Sequence, residues 1–396
     1  MISFDQATTI VSEAAKPLGR EPVPIGSAHR RVIAEDVIAR VNSPPSDVSA
    51  MDGYAVRDED LSVLPARLRV IGESFAGSAF AGSAQQGSSV RIFTGAPVPQ
   101  DADRVVIQEV VRREEDVAVI DDYPGPARHI RGQGSDFRAG ALLLGAGTRL
   151  GYRELVAVAG GDLAEVMVWR RPSAVILGTG DELAAPGTAS GRPGTIPESV
   201  SFGIAALAED WGAAVSDRVH LPDDLGTMEK VAARTLEQAD LVVVTGGASV
   251  GERDFAKAMF ECQGLELLFS KVAIKPGKPV WLGRAGGKLV MGLPGNPTSA
   301  LVTARLLLAP LVAGLSGLNP HSALRWRKTP LLSPLPVCGD RETFVRARSF
   351  QDGTEPLSNQ DSSAQKALVE RCSRCNPIVG AAGKHQLAVD CGCGGN

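Results

Sequence analysis

From Ser173 onward, short apolar runs alternate with segments of helical spacing, and this alternation constrains the fold more than any other feature. "AVILGTGDEL" reads as a strand ending in a glycine turn, "SFGIAALAEDWGA" as an amphipathic helix, "AVSDRVHLPDD" as a strand and "LGTMEKVAARTLEQA" as a helix. The next strand is "DLVVVTGGASVGERD", in which Leu241 to Val244 run straight into Thr245-Gly246-Gly247. Strand and helix keep alternating, which predicts a doubly wound, mostly parallel sheet with helices on both faces. Ligands of such sheets gather at the carboxyl ends of the strands. That is where "GTGDE", "LPDD" and "TGGASVGERD" all fall.

Glycines after a strand let backbone N–H groups approach an anion. Thr245, Gly246, Gly247, Ser249 and Gly251 therefore read as a phosphate-cradling turn, although both the P-loop lysine spacing and G-x-G-x-x-G are missing. Carboxylates follow instead: Asp181-Glu182, Asp223-Asp224 and Glu252 with Asp254. One reading makes them solvated loop acids. The other makes Glu182, Asp223 and Asp254 ligands of a hydrated Mg²⁺, which takes one or two carboxylates plus phosphate oxygens. The unit closes with "MGLPGNPTSALVTARLLLAPL", where Pro294, Gly295 and Asn296 join the ligand edge, Asn296 caps a helix and Pro297 enters its first turn.

The flanking regions have a different texture. Ser3 to Leu18 reads as a helix with a Ser3/Gln6 capping box and an apolar face of Phe4, Ala7, Ile10, Val11 and Ala14. From Pro22 to about Leu150, short alternating runs separated by Gly and Pro read as strands, and short β-like runs return after Asn319. The expected organisation is a linking domain over 1–45 with 140–170, a β-rich second domain over 46–139, an α/β domain over 171–318 and a C-terminal β domain over 319–396. A net charge of -4 and a pI near 5.8 argue against a nucleic-acid surface. The N-terminus has no basic or apolar signal pattern, and the apolar stretch Ala300 to Leu318, with Arg305 and Pro310, reads as a buried amphipathic helix and not a membrane span. A cytoplasmic location is expected.

Three further constellations carry charge or turn chemistry. In "SKVAIKPGKPVWLG", Lys271 and Lys275 share a face of an extended segment. They are either snorkelling lysines or an oxyanion site, because a lysine serves well as a point charge for a tetrahedral anion. "SDVSAMDGYAV" contains the turn dipeptide Asp52-Gly53, whose plain reading is a hairpin turn. "RIFTGAPVP" and "RGQGSDFRAG" are glycine-rich loops that offer Thr94 and Asp136.

Taken in order, "SAMDGYAV", "TGAPVP", "ILGTGDEL", "VVVTGGASVG", "KVAIKPGKP" and "GLPGNPTSA" resemble the molybdopterin molybdenumtransferase family, which includes the E domain of gephyrin. The resemblance runs from Phe4 to about Val369. It implies a central α/β domain of molybdopterin-binding type, a β-rich N-terminal half and a small C-terminal β-barrel-like domain. It also implies insertion of molybdate into adenylylated molybdopterin with release of AMP. By position, Asp52, Thr94 and Asp136 match residues of the family's second domain, and Glu182, Asp223 and Asp254 match acids of the α/β domain. Lys271 and Lys275 match lysines of the molybdate side, while Arg341 in "DRETFVR" and Ser362 in "SNQDSS" look like the arginine and serine near the oxyanion. The family is dimeric, with its site between the second domain of one subunit and the third and fourth of the other. Such a substrate brings its own dithiolene nucleophile, which agrees with the lack of a Cys/His or Ser/His/Asp arrangement in the body of the chain.

Two departures stand out. Val200 occupies the place of a frequent family asparagine in "TIPESVSFG", and "SNQDSSAQKAL" is less glycine-rich than the usual phrase. In the tail, Cys372 and Cys375 form C-x-x-C, and Cys391 and Cys393 form C-x-C. Four thiolates there suit a zinc site, with His385 as a spare ligand, or are simply free thiols. The alternative function is a molybdopterin-binding or scaffold paralogue with reduced chemistry. A hydrolase sharing only the α/β domain is a third reading, opposed by the matching phrases outside that domain.

Overall fold

The structure is a computed structural model that describes residues 1–247, 255–334 and 339–357, and the backbone of 378–382 and 385–389. The first helix, α1 (Phe4–Ala14), has the expected capping box: Gln6 N–H donates to Ser3 Oγ, and Ser3 N–H to Gln6 Oε1. It ends at Ala14, four residues short of the expected Leu18. Pro17 explains this, since proline lacks the N–H and disfavours helix in the residue before it.

The strand β1 (Arg20–Pro24) begins a small linking unit. The next sheet is β2 (Gly53–Val56), β3 (Ala66–Ser74), β4 (Ser88–Ile92), β5 (Arg104–Ile107), β6 (Arg112–Glu114) and β7 (Val117–Ile120), in the spatial order β5-β2-β4-β3-β7-β6. The chain then returns through α2 (Tyr152–Gly160) to β8 (Glu165–Trp169), which pairs antiparallel with β1. Val23, Ile33, Leu150, Val158 and Val168 fill the linking core. The apolar face of α1 lies elsewhere: Phe4, Ala7 and Val11 pack into the large core of the α/β unit, where Phe4 meets Phe344 edge to face at 5.1 Å.

The α/β unit contains β9 (Ser173–Thr179), α3 (Val200–Asp210), β10 (Ala214–Leu221), α4 (Leu225–Gln238) and β11 (Leu241–Thr245). It continues with β12 (Glu266–Phe269), β13 (Ile274–Lys275), β14 (Trp281–Ala285), β15 (Lys288–Leu293) and the helix α5 (Pro297–Leu315). The sheet order is β10-β9-β11-β15-β14-β12. The first four strands are parallel, whereas β14 runs against both β15 and β12. Period-two alternation shows why the apolar run of β11 is continuous. Leu241 and Val243 enter the core shared with α3 and α5, while Val242 and Val244 enter the core shared with α4. Ala174/Ile176 and Val175/Leu177 divide in the same way on β9.

The expected amphipathic helix near Ala300 is instead buried on every side, since every residue from Val302 to Ser316 is buried. A mostly apolar helix buried on every side belongs in a core of this size, and even its Arg305 is only 6% exposed. By length and composition α5 would cross a membrane, but 94% of its apolar window is buried inside the protein. Beyond it, β16 (Trp326–Lys328), β17 (Glu342–Ser349), β18 (Thr354–Pro356), β19 (Ile378–Ala382) and β20 (His385–Val389) form the C-terminal β region. There β13 pairs parallel with β17, which ties the region to the α/β unit.

Candidate active site

Strand register brings the loops after β10, β9, β11 and β15 side by side. Thr179 pairs with Leu221, Gly178 with Thr245, and Thr245 with Leu293, so all four carboxyl ends form one edge. The first two loops are tied together. Asp223 N–H donates to Asp181 Oδ1 at 3.0 Å, and His220 Nε2 lies 2.9 Å from the Gly180 carbonyl. Glu182 folds back over Gly180: a Cβ on that glycine would stand 2.5 Å from Glu182 Oε2. Glu182 and Asp223 thus share one rim, with Glu182 exposed.

The next two loops interlock through missing side chains. At Gly246, with φ +91°, a Cβ would stand 2.5 Å from the Thr179 carbonyl oxygen. Gly295 lies against it, its own Cβ position 3.2 Å from Gly246 Cα. Gly295 and Asn296 are exposed, whereas Pro294 is buried. Thr245 sits deeper, 3% exposed, and its hydroxyl donates to the Leu177 carbonyl at 3.5 Å. Asn296 occupies the N-cap of α5 with Pro297 next, but its side chain makes no capping bond, contrary to expectation.

The lysine segment reaches the same edge by another route. Trp281 opens β14 opposite Gly292, so the residues before it lie at the carboxyl end of β15. Lys271 and Lys275 are exposed around the buried Val272 and Ile274, the alternation of an extended segment. One side of this segment is held by Ile2, whose N–H donates to the Lys271 carbonyl at 3.0 Å. The other is held by β17, where Glu342 N–H donates to the Ala273 carbonyl at 2.9 Å. Arg341 precedes Glu342 and so stands beside the lysines. Burial, and then the nearby Asp5, push the Glu342 carboxyl above its ordinary range.

Asp52 and Thr94 meet on the β-rich unit. The Thr94 N–H and hydroxyl donate to Asp52 Oδ1 at 2.7 and 2.8 Å, and these bonds hold its carboxyl below the ordinary range. Asp52-Gly53 is not a hairpin turn. Gly53 opens β2, and a Cβ there would stand 2.1 Å from the Val106 carbonyl oxygen, so close backbone approach requires the glycine. Asp136 is exposed and is tied to Ser43 through its N–H at 2.9 Å. Among the described residues, no hydrogen bond, ion pair or strand pairing joins residues 46–139 to residues 171–318.

The sequence reading passed over Glu198. It is 8% exposed and accepts from the Ser201 N–H at 2.8 Å and the Ser201 hydroxyl at 2.7 Å. A Cβ on Gly178 would stand 3.8 Å from Glu198 Cγ and 3.7 Å from Thr245 Oγ1, which puts Glu198 at the floor of the edge. Its signal was an acid three residues ahead of a serine at a helix start. Ser249, Gly251, Asp254, Ser362 and the cysteines Cys372, Cys375, Cys391 and Cys393 lie outside the described residues. Among the described residues no group of three or more His, Cys, Asp or Glu is arranged to hold a metal ion.

Comparison with known proteins decides the family. The chain is 38% identical over 362 residues to the molybdopterin molybdenumtransferase of Haemophilus influenzae, covering 91% of this chain and 87% of that one. The chain belongs to this family. A relative of that name from Synechococcus elongatus is 33% identical over 93% of this chain and 94% of its own. The family model described as the MoeA N-terminal region (domain I and II) matches residues 2–160, and a probable molybdopterin binding domain matches 175–314. A crystal structure of the molybdopterin biosynthesis MoeA protein from Pyrococcus horikosii superposes with a TM-score of 0.80 at 28% identity, covering 99% of both chains.

Proposed function

We propose that this chain inserts molybdate into adenylylated molybdopterin with release of AMP, acting as a cytoplasmic homodimer. The observation that carries this reading is the convergence of Glu182, Asp223 and the Lys271/Lys275 segment on one edge of the α/β sheet, in a chain of this family. Asp52 and Thr94 stand on a unit that, among the described residues, shares no hydrogen bond, ion pair or strand pairing with the α/β unit of the same chain, which supports a site completed by a second copy.

Two anionic reactants must meet. Unit charges about 4 Å apart near a protein surface repel by about 4 kcal/mol, and molybdate and a pyrophosphate each carry more than one. Lys271, Lys275 and Arg341 offset this repulsion on the molybdate side. The interlocked glycine loops at Gly246 and Gly295 offer close backbone approach to the phosphates. Glu182 and Asp223 suit a hydrated Mg²⁺, which needs one or two carboxylates beside substrate phosphates. Such an ion, when bound, neutralises pyrophosphate charge. Since the substrate's dithiolene sulfurs attack molybdenum, the chain's own residues contribute position and charge, not a nucleophile.

The test is incubation of the full chain with adenylylated molybdopterin, Mg²⁺ and molybdate, scoring AMP and reconstitution of a molybdenum-free apoenzyme. Stoichiometric AMP with active cofactor is expected. Tight binding of the substrate without AMP or cofactor would instead identify a scaffold.

A further inference from the structure

We propose that Phe75 is a stacking platform for the pterin ring of the substrate, with Asp52 receiving the donor edge of that ring. The inference deepens the proposed function and rests on it for the identity of the ligand.

Four side chains on one face of the β-rich sheet form a row. Tyr54 on β2 pairs across strands with Arg91 on β4, whose guanidinium lies 5.0 Å from the Tyr54 ring centroid. The same guanidinium lies 4.8 Å from the ring of Phe93, two residues along. Phe93 stacks on Phe75 with centroids 4.6 Å apart and planes 11° from parallel. The inner end is fixed: Tyr54 is 7% exposed, and Arg91 Nη1 donates to the Gly53 carbonyl at 3.0 Å. The outer end is open, with Phe75 43% exposed.

Phe75 is also held rigidly. It exchanges two backbone hydrogen bonds of 3.0 Å with Ser78, and Phe93 N–H donates to the Ser74 carbonyl at 3.3 Å. A rigid, exposed ring ordered by an aromatic neighbour and a cation presents a π-face, which is what a planar heterocycle stacks on. The row runs past the site, because Phe93, the ring on which Phe75 stacks, is followed directly by Thr94, the partner of Asp52.

Asp52 selects between the two fused rings of the substrate. Both Thr94 bonds go to Oδ1, and among the described residues Oδ2 accepts no hydrogen bond. An ionised carboxylate only accepts. A pterin presents its 2-amino group and N3–H side by side as donors. Adenine presents one amino group flanked by the acceptor N1, so the pterin is the better match.

Equilibrium dialysis of 6-hydroxymethylpterin and, separately, AMP against the full chain tests this, using Phe75→Ala and Phe75→Trp. Stacking predicts pterin binding roughly five- to a hundred-fold weaker in Phe75→Ala, recovered in Phe75→Trp, with AMP binding unchanged in both. Equal pterin binding by all three proteins overturns the proposal. So does a loss confined to AMP, which would place adenine on the ring. A shift of Phe75→Ala towards monomer in sedimentation also overturns it, because a second copy would then be what covers the ring. If the wild type binds pterin through Phe75 yet transfers no molybdenum, the proposed function fails and the ring site stands.

Discussion

Asp52 is held by Thr94 through a single oxygen, with backbone and hydroxyl donors converging on Oδ1 at 2.7 and 2.8 Å. Donors that favour the ionised form keep this carboxyl below its ordinary range. Thr94→Val removes the hydroxyl donor and leaves the backbone one. The Asp52 carboxyl should then titrate at higher pH, and the acid limb of the pH–activity profile should move the same way. Carbon-13 NMR of the aspartate carboxyls reads the first and steady-state assays the second. An unmoved acid limb would show that Asp52 ionisation does not limit turnover.

Gly246→Ala should cost stability and activity together. The new Cβ would press on the Thr179 carbonyl at 2.5 Å from a backbone with φ +91°, and overpacking with backbone strain typically costs about 1–3 kcal/mol. Gly26→Ala is the control, since no atom lies within 4 Å of its Cβ position. That change should stay within about 0.5 kcal/mol. Urea melts of the two variants should differ accordingly.

The proposed sharing of the site between two copies makes a complementation prediction. Asp52→Ala and Lys275→Ala should each abolish transfer while leaving the fold intact. Mixed after dissociation and reassociation, they should recover roughly a quarter of wild-type activity, because half the dimers are mixed and each holds one intact site. No recovery in verified mixed dimers would place Asp52 and Lys275 in the same copy's site.

Asp240 supports stability at the far edge of the sheet. Burial alone would raise its pKa, but two N–H bonds from Arg170 at 2.8 and 3.0 Å and the N–H and hydroxyl of Ser173, each at 2.9 Å, lower it to about 2. A depressed acid stabilises the fold above its unfolded pKa near 3.8 and loses that contribution as pH falls through about 2. The linkage amounts to about 2 kcal/mol at neutral pH. Asp240→Asn should therefore lower the melting temperature at pH 7, with the gap closing as the pH falls towards 2. Its kcat should not change, since the residue lies at the opposite end of β11 from the candidate site.

Much of this was legible because it is local. Leu241 to Val244 announce a buried strand whichever neighbour they acquire, Ser3 and Gln6 close their own cap, and the phrases around Asp52, Glu182 and Lys275 carry the family in their order. Helix ends were less legible where one residue competes with a pattern, as Pro17 does with the apolar spacing of α1. The role of Gly53 was hidden because the carbonyl it must avoid belongs to Val106, on another strand.

The sequence by itself determined which segments are strands and helices, which residues can carry charge, and which family the chain belongs to. Only the tertiary structure decided that Thr179, Leu221, Thr245 and Leu293 end on one line, that β17 sets Arg341 beside the lysines, and that Tyr54, Arg91, Phe93 and Phe75 stand in a row. The reason is physical. Spacing along a chain fixes which way a side chain points within its own element, whereas strand order and register depend on pairings between distant segments that no single segment encodes.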